Sequence, residues 1–198
     1  MVTVTVPEFN IVDKVELEAN NTALIIVDMQ NDFAHPDGKL FVPESRKIIE
    51  PIKGLLNKAR ENNVLVIYTM DTHMENDPEF NIWGKHTVKG TWGWEIIDEL
   101  KPMKNDVIIN KIKYDAFFGT PLDYILRINS ISNLIITGTV SSICVLHTAG
   151  SAALRGYKII VPVDAIASIT EFDKYLTYRQ VDFLYKGLLT RSNGIVFK

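Results

Sequence analysis

Short runs of apolar residues, rich in Ile and Val, recur at residues 23–28, 64–70, 107–110, 133–137, 158–163 and 195–197. They hardly alternate with polar residues, which is the pattern of strands covered on both faces. Longer stretches of helical period lie between them. Residues 45–61 align Ile48, Ile49, Ile52, Leu55, Leu56 and Ala59 on one stripe, which predicts a helix facing a core. Residues 120–127 open with Thr120 as N-cap and Pro121 at the first helical position. Residues 142–154 are Ala-rich and run out near Gly156, a suitable C-terminal stop. Residues 170–189 read as the last long helix. This alternation predicts βα units around a parallel sheet, an α/β fold. Without repeats or a long linker, the 198 residues predict one domain, with residues 1–21 as an N-terminal extension packing on it.

The segment 71–93 breaks the rhythm. A loop of that length, carrying His, Trp, Gly and Pro, points to function. Composition narrows the field. The formal net charge is −3 and the 21 basic residues are dispersed, so no nucleic-acid surface and no basic membrane helix is expected. The N-terminus does not read as a signal peptide, and the apolar runs are too short to cross a bilayer. Cys144 is the one cysteine; an intrachain disulfide is excluded and a reducing, cytoplasmic setting fits best.

Ligands of open α/β sheets bind beyond the carboxyl ends of the strands, which here selects Asp28, Asp71, Lys111 and the turn leading to Cys144. Cys144 falls at the start of a predicted helix. Helix N–H groups and the positive end of the dipole favour a thiolate, lower its pKa and can hold an oxyanion. The plain alternative is a small buried core residue. Asp28 ends an otherwise apolar strand and could serve as general base to that thiol, or could simply cap a turn. A lysine near such a pair would stabilise both charges, and Lys111 and Lys113 are both placed for it. Asp71, His73, Glu79 and His86 give two carboxylates and two imidazoles in one loop, a donor set suited to zinc, manganese or iron(II).

Three stretches resemble the isochorismatase-like cysteine hydrolases. They are Thr22-Ala-Leu-Ile-Ile-Val-Asp28-Met-Gln-Asn-Asp-Phe33, Lys111-Ile-Lys-Tyr114-Asp-Ala-Phe-Phe118-Gly-Thr120 and Gly138-Thr-Val140-Ser141-Ser-Ile-Cys144-Val. The resemblance implies Asp28 as base, Lys111 rather than Lys113 as the charged partner, and Cys144 as nucleophile. It implies a three-layer α/β/α sandwich with a six-stranded parallel sheet in the order 3-2-1-4-5-6. In that order the strands of Asp28 and Cys144 are neighbours, and the loop after the third strand must bring Lys111 back. It further implies a cis peptide before Ser141, with the N–H groups of Val140 and Cys144 as oxyanion hole.

Asp71-x-His73, then Trp83-Gly-Lys-His86 and Gly90-Thr91, resemble the metal loop of the nicotinamidase-like branch, with Glu79 where many members carry another histidine. Ser142 stands where an aspartate is frequent. On this resemblance Phe33 and Trp83 would sandwich a pyridine ring, Tyr114 and Phe118 would line the same site, and a divalent metal, zinc before manganese or iron, would sit on Asp71, His73, Glu79 and His86. The implied activity is cysteine-dependent hydrolysis of a small amide, nicotinamide first, by a homodimer or homotetramer in NAD salvage. Other small amides or ureides, isochorismate, and a non-catalytic binding role are the alternatives.

Overall fold

Every residue of the strands Thr22–Val27 and Asn133–Thr139 is buried, so neither has a solvent-facing side, and this is why their centres, residues 23–27 and 134–136, show no alternation with polar residues. The computed structural model describes Thr3 and residues 5–198; Met1, Val2 and Val4, at the start of the expected extension, lie outside the described residues. Among the described residues the strands are β1 (Ile11–Val12), β2 (Val15–Leu17), β3 (Thr22–Val27), β4 (Leu65–Asp71), β5 (Val107–Lys111), β6 (Asn133–Thr139), β7 (Lys158–Pro162), β8 (Ile166–Ala167), β9 (Leu188–Thr190) and β10 (Ile195–Phe197). The α-helices are α1 (Asn31–Ala34), α2 (Ile49–Glu61), α3 (Phe80–Trp83), α4 (Leu122–Ile128), α5 (Leu146–Leu154) and α6 (Glu171–Arg179).

The main sheet runs β1-β9-β7-β6-β3-β4-β5, with β8 also paired to β6, and every pairing is parallel. Alternate residues of β3 feed two cores. Leu24 and Ile26 pack with Ile49, Ile52 and Leu56 of α2. Ala23, Ile25 and Val27 pack with Leu122 and Leu126 of α4 and Ala149 and Ala152 of α5. Helices therefore cover both faces of the sheet and make a three-layer α/β/α arrangement. All six stripe residues predicted for the helical segment 45–61, Ile48 to Ala59, are buried. That segment starts as a 3₁₀ turn, Pro43–Ile48, before α2 proper.

The predicted order 3-2-1-4-5-6 is found as β5-β4-β3-β6-β7-β9, but the sixth strand is not the predicted one. Leu188–Thr190 takes that place, and Ile195–Phe197 instead pairs with Val15–Leu17 in a separate two-stranded sheet. The helix predicted over residues 170–189 stops early: α6 ends at Arg179, a π turn follows at Gln180–Leu184, and the chain reverses through Lys186 (φ 51°). At Gly187 it passes so close to Ile159 that a Cβ would lie 2.9 Å from the Ile159 carbonyl oxygen. Pro121 occupies the cap of α4 rather than its first turn, while the Thr120 hydroxyl accepts from Leu122 N–H at 3.2 Å. Gly156 does end the helical segment, with φ 86° and its N–H on Ala153 C=O.

Residues 5–21 are stitched to the rest. β1 extends the sheet beside β9, β2 pairs β10, and Phe9 packs on Tyr175 and Tyr178. No helix among the described residues is long and apolar enough to cross a membrane.

Candidate active site

Parallel strands carry their carboxyl ends to one edge, and four of them deliver the chemistry there. Asp28 follows β3, Asp71 ends β4, Lys111 ends β5, and Cys144 follows β6. Asp71 and Lys111 are register partners, as are Val27 and Gly138. Gly138 has φ 104°, and a Cβ there would meet the Val27 carbonyl oxygen at 2.1 Å, so only glycine lets the chain leave β6 toward Cys144. The chain then enters its helix through a π turn, Ser141–Val145, with the Val140 carbonyl accepting from Ile143 and Val145.

Lys111 is fully buried. Its Nζ lies 2.7 Å from Asp28 Oδ2, 3.1 Å from Asp71 Oδ1 and 3.6 Å from Cys144 Sγ. No loop has to return the amine: as the last residue of β5, Lys111 reaches past the end of β4 with its own side chain. Lys113 is not at this centre; it pairs with Glu79 at 2.9 Å. Asp28, at φ 50°, is held by its own N–H on the Thr69 carbonyl and by the Thr69 hydroxyl donating to Oδ1 at 3.0 Å.

Burial governs the protonation states. It raises Asp28 to about 6, with Lys111 opposing and Asp71 adding to the rise. Burial would strip Lys111 of its proton, but Asp28, Cys144 and Asp71 outweigh it and keep the ammonium charged. For Cys144 the outcome reverses the sequence expectation. Burial pushes the thiol well above its ordinary value, Lys111 opposes, and Asp28 and Asp71 reinforce it. Cys144 thus rests as a neutral thiol beside a carboxylate that can take its proton.

The cis peptide lies between Thr139 and Val140, not before Ser141 as expected from the resemblance. Ser141 already belongs to the π turn, so the chain has bent before reaching it. The Ser141 hydroxyl pairs with Ser168 at 2.6 Å. Ser142 donates to Asp173 of α6 at 3.1 Å, so a carboxylate stands near that position from a different element.

The loop after β4 gathers Asp71, His73 and His86, all buried, with ligand atoms within 4.8 Å of one another. Asp71 Oδ2 is 3.0 Å from His73 Nε2 and 3.4 Å from His86 Nε2. The other ring nitrogens are engaged: His73 Nδ1 with Asp77 Oδ2 at 2.8 Å, His86 Nδ1 with the Gly84 carbonyl at 2.7 Å. Partners of that kind fix the tautomer that leaves Nε2 free for a metal. Glu79 Oε1 is buried without a partner, and Glu79 falls in a second group, with His73 and Asp77 rather than with Asp71 and His86. The donor set therefore fits a divalent ion. Burial opposes ionisation of Asp71, but Lys111, His73 and His86 prevail and hold it well below the carboxylate range. Burial likewise opposes charging of His73, while Asp71 and Asp77 bring it up to about 9.

A cavity of about 250 Å³ opens over Cys144, lined by Phe33, Trp83, Tyr114, Val140 and Ile143 and bordered by Asp71, Glu79 and His86. Its outer wall is residues 40–43 and Ile169. Phe118 is not among the lining residues: it is exposed, and its neighbour Phe117 takes the inward direction.

Several positioning residues carried no role in the sequence reading. Gln30 clamps the Asp71 backbone, its Oε1 accepting from Asp71 N–H at 2.8 Å and its Nε2 donating to the Asp71 carbonyl at 2.9 Å. Asp32 accepts from Thr87 N–H at 2.7 Å and Lys39 N–H at 3.1 Å, tying the metal loop to the cavity's outer wall. Both stand in the stretch that follows Asp28, where polar residues directly after an apolar strand were the available signal. Asp77, four residues after His73, was one more acid in an acidic loop.

These features define a hydrolase-type site in a strand-end crevice of an open α/β sheet, and the isochorismatase domain model matches residues 22–188. The chain belongs to the isochorismatase family, whose members include enzymes that hydrolyse amide C–N bonds. It is 36% identical to the uncharacterized isochorismatase family protein PncA of Bacillus subtilis, over 75% of this chain and 87% of that one. Among solved structures it resembles N-carbamoylsarcosine amidase from Thermoplasma acidophilum, at 39% identity and TM-score 0.80 over 87% of this chain and 97% of that one. It also resembles the nicotinamidase/pyrazinamidase PncA from Bacillus subtilis, at 31% identity and TM-score 0.81 over 86% and 100%.

Proposed function

We propose that this protein is a cysteine-dependent amidohydrolase that converts nicotinamide to nicotinate and ammonia through a thioester on Cys144. The observation that carries this reading is the cavity wall. Around the thiol it is aromatic and aliphatic, and its carboxylate side chains are those of Asp71 and Glu79, with no lysine or arginine among the lining residues. A flat neutral amide fits such a wall. An N-carbamoyl amino acid, which carries a carboxylate of its own, would meet no lysine or arginine side chain in that wall.

In this reading Asp28 takes the thiol proton as Cys144 attacks the amide carbon, and Lys111 balances the charge that gathers between them. The N–H groups of Val140 and Cys144 receive the oxyanion, each donor worth about 2.7–4 kcal/mol. Asp28 passes its proton to the departing ammonia. It then accepts one from the water that opens the thioester, releasing nicotinate and restoring the thiol. Phe33 and Trp83 hold the ring between them. A divalent metal, zinc first, would be held by Asp71, His73, His86 and Glu79 and would supply Lewis acidity toward the ring nitrogen or a water. The functional unit is a dimer or tetramer in the cytoplasm.

Ammonia release from nicotinamide by zinc-loaded protein, beside Cys144→Ala, tests the proposal. Release that disappears in the folded variant is the expected result. Release that persists in the variant removes Cys144 from the mechanism. Zinc-loaded, folded wild-type protein that releases ammonia only from N-carbamoylsarcosine would replace nicotinamide with a ureide; its 39% identity to the carbamoylsarcosine amidase makes that the second reading.

A further inference from the structure

The mechanism leaves Lys113 unused, although it sits two residues beyond Lys111 and past an outward-facing Ile112. Its Nζ lies 2.9 Å from Glu79 Oε2. The next residue repeats the pattern: the Tyr114 hydroxyl accepts from Trp83 Nε1 at 2.8 Å. Glu79 and Trp83 stand at the two ends of α3, and both line the cavity. Between them Phe80 packs edge-on against His73 and His86. Two consecutive residues after β5 thus grip both ends of a one-turn helix, too short to hold its shape alone. The grip leaves Glu79 with one buried, unpartnered oxygen, Oε1.

We propose that Lys113 and Tyr114 are positioning residues that latch α3 across the cavity. Lys113 occupies Oε2, so that Glu79 offers the metal group Oε1 alone. Tyr114 fixes the Trp83 ring as one wall of the substrate site. The inference rests on the metal-supported reading above, but it concerns the geometry of the loop and not the identity of the amide.

The test uses the full chain with Lys113→Met, Lys113→Arg and Tyr114→Phe. Zinc affinity is measured by chelator competition, and mobility of residues 74–86 by hydrogen exchange. Lys113→Met should weaken zinc binding about fivefold, the scale of one partly exposed ion pair, and speed exchange across the segment. Lys113→Arg should restore both. Tyr114→Phe should speed exchange at residues 80–83 and raise KM for nicotinamide more than it lowers kcat. Removing a positive charge near a cation site would by itself tighten zinc binding, so the sign separates positioning from charge. Zinc binding that is unchanged or tighter in Lys113→Met, equal impairment in Lys113→Arg, or wild-type protein that binds no zinc would each overturn the latch. If nicotinamide is not the substrate, the zinc and exchange measurements decide the latch regardless.

Discussion

A lysine, two carboxylates and a thiol share one dry spot in this protein, and their protonation states follow from what each neighbour does to the others. Asp28 is raised to about 6 by burial, against the pull of Lys111. As base it must be ionised, so kcat/KM is expected to rise with pH through about 6 and to fall as Asp28 takes up a proton below that value. A pH profile checks the sign. A rate that stays flat from about pH 5 to 7 would mean that Asp28 is not the group accepting the thiol proton. The raised pKa of Cys144 leads to the same dependence, because a thiol that rests neutral needs its base at the moment of attack.

The metal loop shows how an element without regular structure is held by buried polar groups. Gln30 and Asp32 fix its two ends from the segment after β3, and Thr87 adds a hydroxyl contact to Asp71 at 3.3 Å. Packed this way, Asp71, His73 and His86 crowd ligand atoms together with a carboxylate as their main compensation. An ion bound there stabilises the folded state in proportion to its affinity. Zinc at about a hundred times its Kd should add about 2.7 kcal/mol, raising Tm by about 5–10 °C over the chelated protein. A melt with and without chelator checks this. Coincident melts would remove the loop as a metal site.

Across the whole molecule, residues 11–17 pair with residues 189–197 and not with the strands that carry Asp28, Asp71, Lys111 and Cys144. β2 pairs β10, and β1 borders β9 at the edge opposite β5. Val15 and Leu17 are buried there, and each apolar side chain so placed is worth about 1.5–3 kcal/mol. Deleting residues 1–17 is expected to lower Tm by about 5–10 °C while the folded fraction keeps its turnover. A truncated chain that melts with the full-length protein would show that this layer adds nothing.

The sequence by itself determined what leaves water and where strands end. The unbroken run into Asp28, the stripe on α2 and the turn at Gly138 before Cys144 were all legible, because burial on two faces and φ above zero leave local marks. The four loop donors and the motif lysine were legible as residue types. Only the tertiary structure decided which three-residue run joins the main sheet. Leu188–Thr190 and Ile195–Phe197 are too short to carry a period, and their partners set the outcome. It also decided that Phe117 rather than Phe118 turns inward, that Lys113 serves Glu79, and that Gln30 grips a strand end 41 residues away. The thiol's pKa moved against its helix position because folding buries it and brings Asp28 and Asp71 beside it. A local pattern reports solvent exclusion; it does not report which distant charges will share the space so created.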